Sequence, residues 1–250
     1  MIVLGVTTSD EQCGIALRYD GEPAGSDTFP GMRSCVEELI PRIDRLLSSN
    51  GLLLSEIDRF GVDAGPGGLA GIKIGLSAVK TLAQVTDKPA AAVSSLYAMS
   101  LAASRAEPGA ELFLPIVNCT KVEFYCALFR RLPGGGVELA ADERLAGADG
   151  LRAMLRQWGQ AGKVENSDTL LDSAGGGGSV LAFGSAAGRM RGVVEEALGS
   201  RVSFAPPELN RPNAEIICEI AETAEALPFD RVMPNYLCLT QAERDRGISA

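Results

Sequence analysis

The chain of 250 residues contains no histidine. Imidazole is the usual base of serine and cysteine hydrolases, the commonest protein ligand of zinc, and the side chain that titrates near neutral pH. Ser-His-Asp and Cys-His catalysis, H-E-x-x-H zinc sites and histidine pH switches are therefore excluded for this chain acting alone.

The chain also lacks closely spaced cysteines and long apolar runs. Its six cysteines are scattered without a C-x-x-C pair, so their spacing supports neither a zinc site nor a disulfide framework. The longest charge-free apolar stretch, 89–104, is shorter than the roughly 20 residues of a membrane helix. Since no signal peptide is recognisable, we expect a reduced, cytoplasmic protein with no membrane partner.

Positive charge is in deficit. The net charge is −9 and the pI is about 4.7, so the overall field repels a nucleic acid backbone. If the function involves RNA, we expect a partner to hold it. The 46% of hydrophobic residues is enough to bury one large core or two small ones.

Hydrophobic periodicity in the first half predicts alternating strands and helices. The predicted elements are strands at 2–6, 14–19 and 24–29, a helix over 36–47, a strand at 59–64, a helix at 69–84, a strand at 90–93 and a helix ending at 104. Asp20-Gly21 favours a hairpin turn, and Pro41 predicts a kink in the first helix. This order resembles the half-domain of actin-like ATPases, an α/β pattern with a mixed sheet.

A similar order of strands and helices begins again after Glu107-Pro108-Gly109. The predicted elements are strands at 112–118 and 123–130, a helix at 150–158, a strand at 180–183, and helices at 186–198 and 213–226. Asn213 is a typical N-cap, and the stretch 165–179, with Gly175–Gly178, predicts a flexible loop. We predict a lobe over 1–106 and a degenerate second lobe over 107–250. The last helix and tail, about 213–250, are expected to pack back on the first lobe.

Two short motifs offer sites for anions. Gly65–Ala70 fits G-x-G-x-x-[GA], and Asp87 follows about 20 residues later, as in a dinucleotide fingerprint. A tight strand-to-helix turn is favoured instead, because Pro66 lacks an N–H and a three-strand meander precedes the motif. Thr7–Asp10 could bind a phosphate through hydroxyls and amides, but a polar hairpin turn is the simpler interpretation.

Small residues form a stripe on the second helix. Gly71, Gly75 and Ala78 share one helical face, which permits close approach of another backbone. Packing against the protein's own sheet and contact with a partner protein are equally compatible with this stripe. Both alternatives stay open from the sequence alone.

Several segments resemble the bacterial TsaB or YeaZ family, the B subunit of threonylcarbamoyladenosine biosynthesis. The family pattern G-P-G-S-F-T-G-[VL]-R-I-G corresponds to Gly65–Gly75, which keeps the glycines, the proline and Ile74. The agreement extends through 39–47 and 89–95, and Met233–Leu237 resembles the family's closing P-x-Y-L. The first hundred residues are covered well and the second half thinly.

The resemblance implies a two-lobed actin-like (ribonuclease H-like) fold built from a duplicated βββαβα unit. It also implies a chain without catalysis, cofactor or metal of its own. The catalytic relative, TsaD, binds metal through H-x-x-x-H, and those histidines correspond to Ser95 and Met99 here. Thr7 stands where family members commonly have an acid, which argues against a magnesium or ATP site at the first turn.

The resemblance further implies a scaffold role in modifying adenosine 37 of tRNA. The chain would pair with a TsaD-type subunit through helices spanning 34–48 and 71–84. It would contact tRNA only indirectly, and a TsaE-type ATPase would join through the complex. A homodimer is the alternative assembly. The expected interface residues are Cys35, Val36, Leu39, Ile43, Gly71, Ile72, Gly75, Leu76, Ala78 and Val79. Cys35 and Cys238 depart from the His and Arg that are frequent in the family.

Three other functions remain to be weighed. An actin-like ATPase or small-molecule kinase needs an acid at the first strand or turn to hold magnesium, and Thr7 argues against that. A glycoprotease-type peptidase would need metal ligands or an imidazole base that the chain lacks. A homodimeric interaction protein outside tRNA modification could use the same helices, and only the partner's identity distinguishes it from the scaffold.

Overall fold

The computed structural model describes residues 1–31, 33–160 and 178–238. Contacts divide these into unit 1, Met1–Ala98 with Arg211–Tyr236, and unit 2, which runs from Met99 to Asn210 and resumes at Leu237. Most of the predicted glycine-rich loop, 165–177, lies outside the described residues. The division into lobes at residues 106 and 107 stays a prediction.

Unit 1 contains a five-stranded mixed sheet. Its strands are β1 (Ile2–Thr7), β2 (Gln12–Tyr19), β3 (Glu22–Pro30), β4 (Arg59–Gly65) and β5 (Ala90–Ser94). They are ordered β3-β2-β1-β4-β5, with β2 antiparallel to both β3 and β1, and β4 parallel to both β1 and β5. The three-strand meander and the later parallel strands agree with the sequence pattern.

Four helices belong wholly or partly to this unit. They are α1 (Arg33–Ser49), α2 (Leu69–Thr86), α3 (Ser95–Ala106, which continues into unit 2) and α6 (Ala214–Thr223). The last is numbered α6 because two helices of unit 2 precede it in the chain. Helix α1 is continuous through Pro41. The predicted N-cap of α6 is confirmed, because the side chain of Asn213 accepts a hydrogen bond of 2.7 Å from the amide of Glu215.

Unit 2 repeats the same sheet topology. Its elements are β6 (Leu112–Asn118), β7 (Glu123–Arg131), β8 (Val137–Gly147), α4 (Ala148–Gln160), β9 (Val180–Phe183), α5 (Ala187–Leu198) and β10 (Val202–Phe204). The order β10-β9-β6-β7-β8 is that of the first sheet with β6 in the place of β1. Two sheets of one topology confirm the predicted α/β fold with a duplicated unit. Strands β8 and β10 were absent from the prediction.

The core of unit 1 has a different character on each face of its sheet. On one face, Leu4, Val6 and Ile15 pack with the apolar rows of α1 and α2. On the other face, Val3 and Ala16 meet α6, since successive side chains of a strand point to opposite sides. Large aliphatic residues fill the first interface, whereas small residues dominate the second.

Glycines in β1 and β4 let α6 lie close to the sheet. A Cβ at Gly5 would stand 2.7 Å from the carbonyl oxygen of Ala214, and a Cβ at Gly61 would stand 2.6 Å from the Cβ of Ala221. Both distances are shorter than real Cβ contacts, so the two strands need glycine here. In the part of the chain that the structure describes, no helix is long and apolar enough to cross a membrane.

Candidate functional site

A buried polar cluster surrounds Asp63, which has no exposed surface. Its Oδ2 accepts hydrogen bonds from Thr7 Oγ1 at 2.6 Å and from Ser9 Oγ at 2.5 Å. Its Oδ1 accepts from the hydroxyl of Ser95 and, at 3.0 Å, from the amide of Gly65. Each carboxylate oxygen therefore receives two donors, and the acceptor capacity of the group is filled.

The cluster lies where α/β sheets usually bind ligands. Asp63 and Thr7 stand near the carboxyl ends of the parallel strands β4 and β1, and Ser95 begins α3. Ligands of open α/β sheets typically bind outside these strand ends. Here the carboxylate joins the β1–β2 turn, β4 and α3 to one another, so the arrangement holds the fold together rather than offering free lone pairs.

The side chains at positions 95 and 99 do not fit the metal that the resemblance assigns to the catalytic relative. The Ser95 hydroxyl donates to Asp63, and Met99 is buried with a soft thioether that hard cations avoid. Within the described ranges, no group of three His, Cys, Asp or Glu side chains is arranged to hold a metal ion.

The glycine-rich motif after β4 packs on the turn that follows β1. The amide of Gly68 donates to the carbonyl of Ser9 at 2.7 Å, and a Cβ at Gly67 would stand 2.7 Å from the same oxygen. The amide that a phosphate would require is thus already bonded within the protein. This geometry favours the tight turn over the dinucleotide motif.

Acidic side chains flank the same turn. Asp10 lies 3.9 Å from the guanidinium of Arg211, and Glu11 lies 3.7 Å from it. Burial raises the pKa of the Asp10 carboxyl, an effect that its hydrogen bond from the Glu11 amide and the charge of Arg211 oppose. Two carboxylates beside one arginine make the turn a poor place for an anion.

The two glycines of the predicted stripe contact their own unit. A Cβ at Gly71 would stand 1.8 Å from the carbonyl oxygen of Thr8, and a Cβ at Gly75 would stand 2.3 Å from the Thr8 hydroxyl. That hydroxyl donates a 2.8 Å hydrogen bond to the carbonyl of Gly71. Of the two alternatives, packing within the unit therefore accounts for Gly71 and Gly75, and Ala78 is half-buried.

Most of the expected interface residues lie in the core of unit 1. The buried ones are Cys35, Leu39, Ile43, Ile72, Gly75, Leu76 and Val79. Gly71 is half-buried and Val36 is 68% exposed. The large apolar residues exposed on the two helices are Val36, Ile40 (49% exposed) and Val85 (72% exposed); Val36 and Ile40, one turn apart on α1, are named the apolar strip below.

Sequence reasoning missed Asp63, the centre of the polar cluster. A signal was present, because Asp63 interrupts the apolar run Phe60–Ala64 at the end of a strand. An acid at such a position is rarely buried without partners. Its partners at positions 7, 9 and 95 are distant in the sequence, and only the fold brings them together.

Comparisons with known proteins match the chain to one family. The model of the family described as TsaD, tRNA N6-adenosine threonylcarbamoyltransferase, matches residues 31–226. The chain belongs to this family. The predicted likeness to TsaB or YeaZ is also confirmed by individual relatives.

The relatives with the name TsaB cover different lengths. A protein of Haemophilus influenzae named tRNA threonylcarbamoyladenosine biosynthesis protein TsaB is 33% identical over 103 residues, which are 41% of this chain and 43% of that protein. The Bacillus subtilis protein of the same name is 26% identical over 244 residues, 97% of this chain and 96% of that protein. The second alignment extends the likeness to the second half of the chain, where few family motifs are recognisable.

The solved structure of YeaZ from Pseudomonas aeruginosa has the same fold. It aligns with a TM-score of 0.74 at 24% identity, covering 94% of this chain and 99% of that one. At this level of identity the match concerns architecture. It agrees with the two sheets of equal topology described above.

Proposed function

We propose that this chain is a non-catalytic subunit in the biosynthesis of N6-threonylcarbamoyladenosine at position 37 of tRNA. It pairs with a TsaD-type subunit, which carries out the transfer of the threonylcarbamoyl group. The observation that carries this proposal is the cluster at Asp63, where the positions of the relative's metal ligands hold Ser95 and Met99 and the carboxylate is filled by internal donors.

The same cluster weakens the kinase alternative. A phosphoryl-transfer enzyme of this architecture needs an acid free to hold magnesium or to orient a nucleophile. Thr7 is instead a donor to Asp63, and Gly68 has its amide bonded to Ser9. No observation on the described residues favours nucleotide chemistry over the scaffold role.

The partner surface of this proposal is the apolar strip on α1. Val36 and Ile40 are spaced i, i+4 on α1, so they lie on one face. On α2, Val85 is the one large apolar residue that is exposed among those the structure describes. Helices whose inner rows already fill the core gain nothing within the unit from further exposed aliphatic side chains. Burying such residues against a partner removes apolar area from water.

The remaining partners follow from charge and family. With a net charge of −9, the chain contacts tRNA only through the complex. A TsaE-type ATPase joins through the assembled pair, and the site of action is the cytoplasm. In the absence of the TsaD-type subunit, a homodimer through the same strip is the competing assembly.

Size-exclusion chromatography with light scattering tests the pairing. The chain is measured alone, and then mixed with the TsaD-type subunit of the same organism at micromolar concentration. The proposal expects a new species with the mass of one copy of each. If both proteins elute unchanged across this concentration range, the pairing is rejected.

A further inference from the structure

The turn that follows helix α1 contains the dipeptide Asn50-Gly51. Among the asparagines of the sequence, Asn50 alone is followed by glycine. Asparagine is a thermolabile residue, because the backbone nitrogen of the next residue can attack its side-chain amide. Glycine in that next position leaves the attacking nitrogen without the steric protection of a Cβ.

The turn is exposed and has an open backbone. Asn50 and Gly51 are both exposed. Gly51 has a φ of +67°, in the left-handed region that favours glycine, and a Cβ added there would have no neighbour within 4 Å among the described residues. Water therefore has access to both residues, and the Gly51 backbone is not crowded.

Hydrogen bonds at the end of α1 hold the two reacting groups. The side-chain nitrogen of Asn50 donates to the carbonyl of Leu46 at 2.8 Å, and the amide of Gly51 donates to the carbonyl of Ser48 at 3.1 Å. Both bonds lie at the carboxyl end of the helix, where helices fray. When this last turn opens, the Gly51 nitrogen can reach the side-chain carbonyl carbon of Asn50.

We propose that Asn50 is a deamidation site, at which attack by the Gly51 backbone nitrogen leads to aspartate and isoaspartate. In the first step an N–C bond forms between the Gly51 nitrogen and the side-chain carbonyl carbon of Asn50. The bond from that carbon to Nδ2 breaks, and ammonia leaves with the proton of the Gly51 amide. The product of this step is a cyclic succinimide.

Water completes the reaction without an oxidant or a reductant. It adds to one of the two succinimide carbonyls, and the ring C–N bond on that side breaks. Attack at the former side-chain carbonyl gives aspartate, whereas attack at the main-chain carbonyl gives isoaspartate, in which the backbone continues through the side-chain carbon. In sum, water is consumed, ammonia is released, and the amide becomes a carboxylate.

The new carboxylate stands at the carboxyl end of α1. That end is the negative pole of the helix dipole, and the last turn of α1 contains no basic residue to offset the charge. The reaction also removes the side-chain donor that binds the Leu46 carbonyl. Deamidation therefore destabilises the end of α1. This inference does not depend on the proposed pairing with a TsaD-type subunit.

Peptide mapping of the full-length protein tests the site. The protein is incubated in mildly alkaline buffer at physiological temperature and sampled over several weeks, because base removes the proton of the attacking amide and accelerates the first step. Trypsin releases residues 46–59, in which Asn50 is the only side-chain amide. We expect this peptide to gain the mass difference between NH2 and OH. Part of the product should accept a methyl group from protein isoaspartate methyltransferase.

Two variants serve as comparison. Gly51→Ala places a Cβ beside the attacking nitrogen and is expected to slow the mass gain several-fold. Gly192→Ala, at a helical glycine whose Cβ would also have no neighbour within 4 Å, should leave the rate unchanged.

Three results would overturn the proposal. They are an unchanged mass of residues 46–59 throughout the incubation, earlier deamidation of another asparagine among the described residues, and an equal rate in wild type and Gly51→Ala. The wild-type map decides the first two even where a variant folds poorly.

Discussion

Gly71 occupies a position where any side chain would meet backbone. A Cβ there would lie 1.8 Å from the carbonyl oxygen of Thr8, and a backbone atom cannot move aside as the tip of a side chain can. We expect Gly71→Ala to lower the free energy of unfolding by about 3 kcal/mol, at the upper end of overpacking costs. Urea unfolding followed by circular dichroism measures the change.

Gly192 in α5 provides the matched control. A Cβ at this helical glycine would have no neighbour within 4 Å, so Gly192→Ala is expected to raise the free energy of unfolding by about 0.5–1 kcal/mol through reduced backbone freedom. Equal effects of the two substitutions would contradict the close approach of α2 to Thr8.

Asp63 is expected to contribute more to stability than an ordinary acid. In Asp63→Asn, an amide group replaces an oxygen that accepts two hydrogen bonds, so buried donors lose their partner and the free energy of unfolding falls by about 2–3 kcal/mol. Asp142, exposed on β8, is the control: Asp142→Asn should stay within about 0.5 kcal/mol of wild type. Unchanged stability of Asp63→Asn in urea would mean that the cluster is not organised by this carboxylate.

Single residues also mark the limit of sequence reasoning. The absence of histidine was sufficient to exclude Ser-His-Asp and Cys-His catalysis and H-E-x-x-H zinc sites for this chain acting alone. The role of Asp63 could not be predicted, because its donors Thr7 and Ser9 lie more than 50 residues away and Ser95 more than 30. Contacts of this separation depend on strand pairing rather than on local pattern.

At the scale of elements, helix α1 carries two neighbouring apolar rows with different environments. Cys35, Leu39 and Ile43 are buried, whereas Val36 and Ile40 are exposed. Hydrophobic periodicity detects both rows but does not say which one meets the protein's own sheet. The expected interface therefore included mainly core residues together with the exposed Val36, and Ile40 was added to it only from the structure.

The apolar strip is the part of α1 whose change should affect pairing without affecting folding. The double variant Val36→Glu/Ile40→Glu places two charges on an exposed surface, so we expect a folded protein whose affinity for the TsaD-type subunit falls at least tenfold, about 1.4 kcal/mol. Isothermal titration calorimetry measures the affinity. Val122→Glu, an equally drastic change at a residue 75% exposed in unit 2, should leave it unaltered; affinity lost equally in both variants would refute a specific strip.

Helix α6 depends on its N-cap. Asn213→Ala removes the acceptor of the Glu215 amide and is expected to cost about 1 kcal/mol of unfolding free energy. Asn213→Ser keeps a capping oxygen and should recover most of that loss in the same thermal or urea unfolding experiment. Equal stability of the alanine and serine variants would show that the cap contributes nothing measurable.

The missed strands have a physical explanation. The segment that forms β8, Val137–Gly147, is rich in alanine and charged residues, which have low strand propensity, and β10 is only three residues long. Both are edge strands, so their pairing partners rather than their own sequences define them. The central strands, whose residues are mostly buried and apolar, were located to within one or two residues.

At the scale of the whole molecule, the repeated sheet order explains why the fold was predictable. Three meandering strands followed by helix, strand, helix and strand occur in both halves, and this order restricts the sheet to few topologies. Function was less accessible, because a fold by itself does not determine function and one fold can host many unrelated activities. The residues at the strand ends, rather than the architecture, favour the scaffold role.

Reconstitution of the tRNA modification tests the central claim most directly. Threonylcarbamoyladenosine in an unmodified ANN-decoding tRNA is quantified by mass spectrometry of nucleosides, with the threonylcarbamoyl adenylate as donor and the TsaE-type ATPase with ATP present throughout. Three reactions contain this chain alone, the TsaD-type subunit alone, and both together. The account predicts product from the pair, little from the TsaD-type subunit alone and none from this chain alone; product from this chain alone, or equal yields with and without it, would contradict the scaffold role.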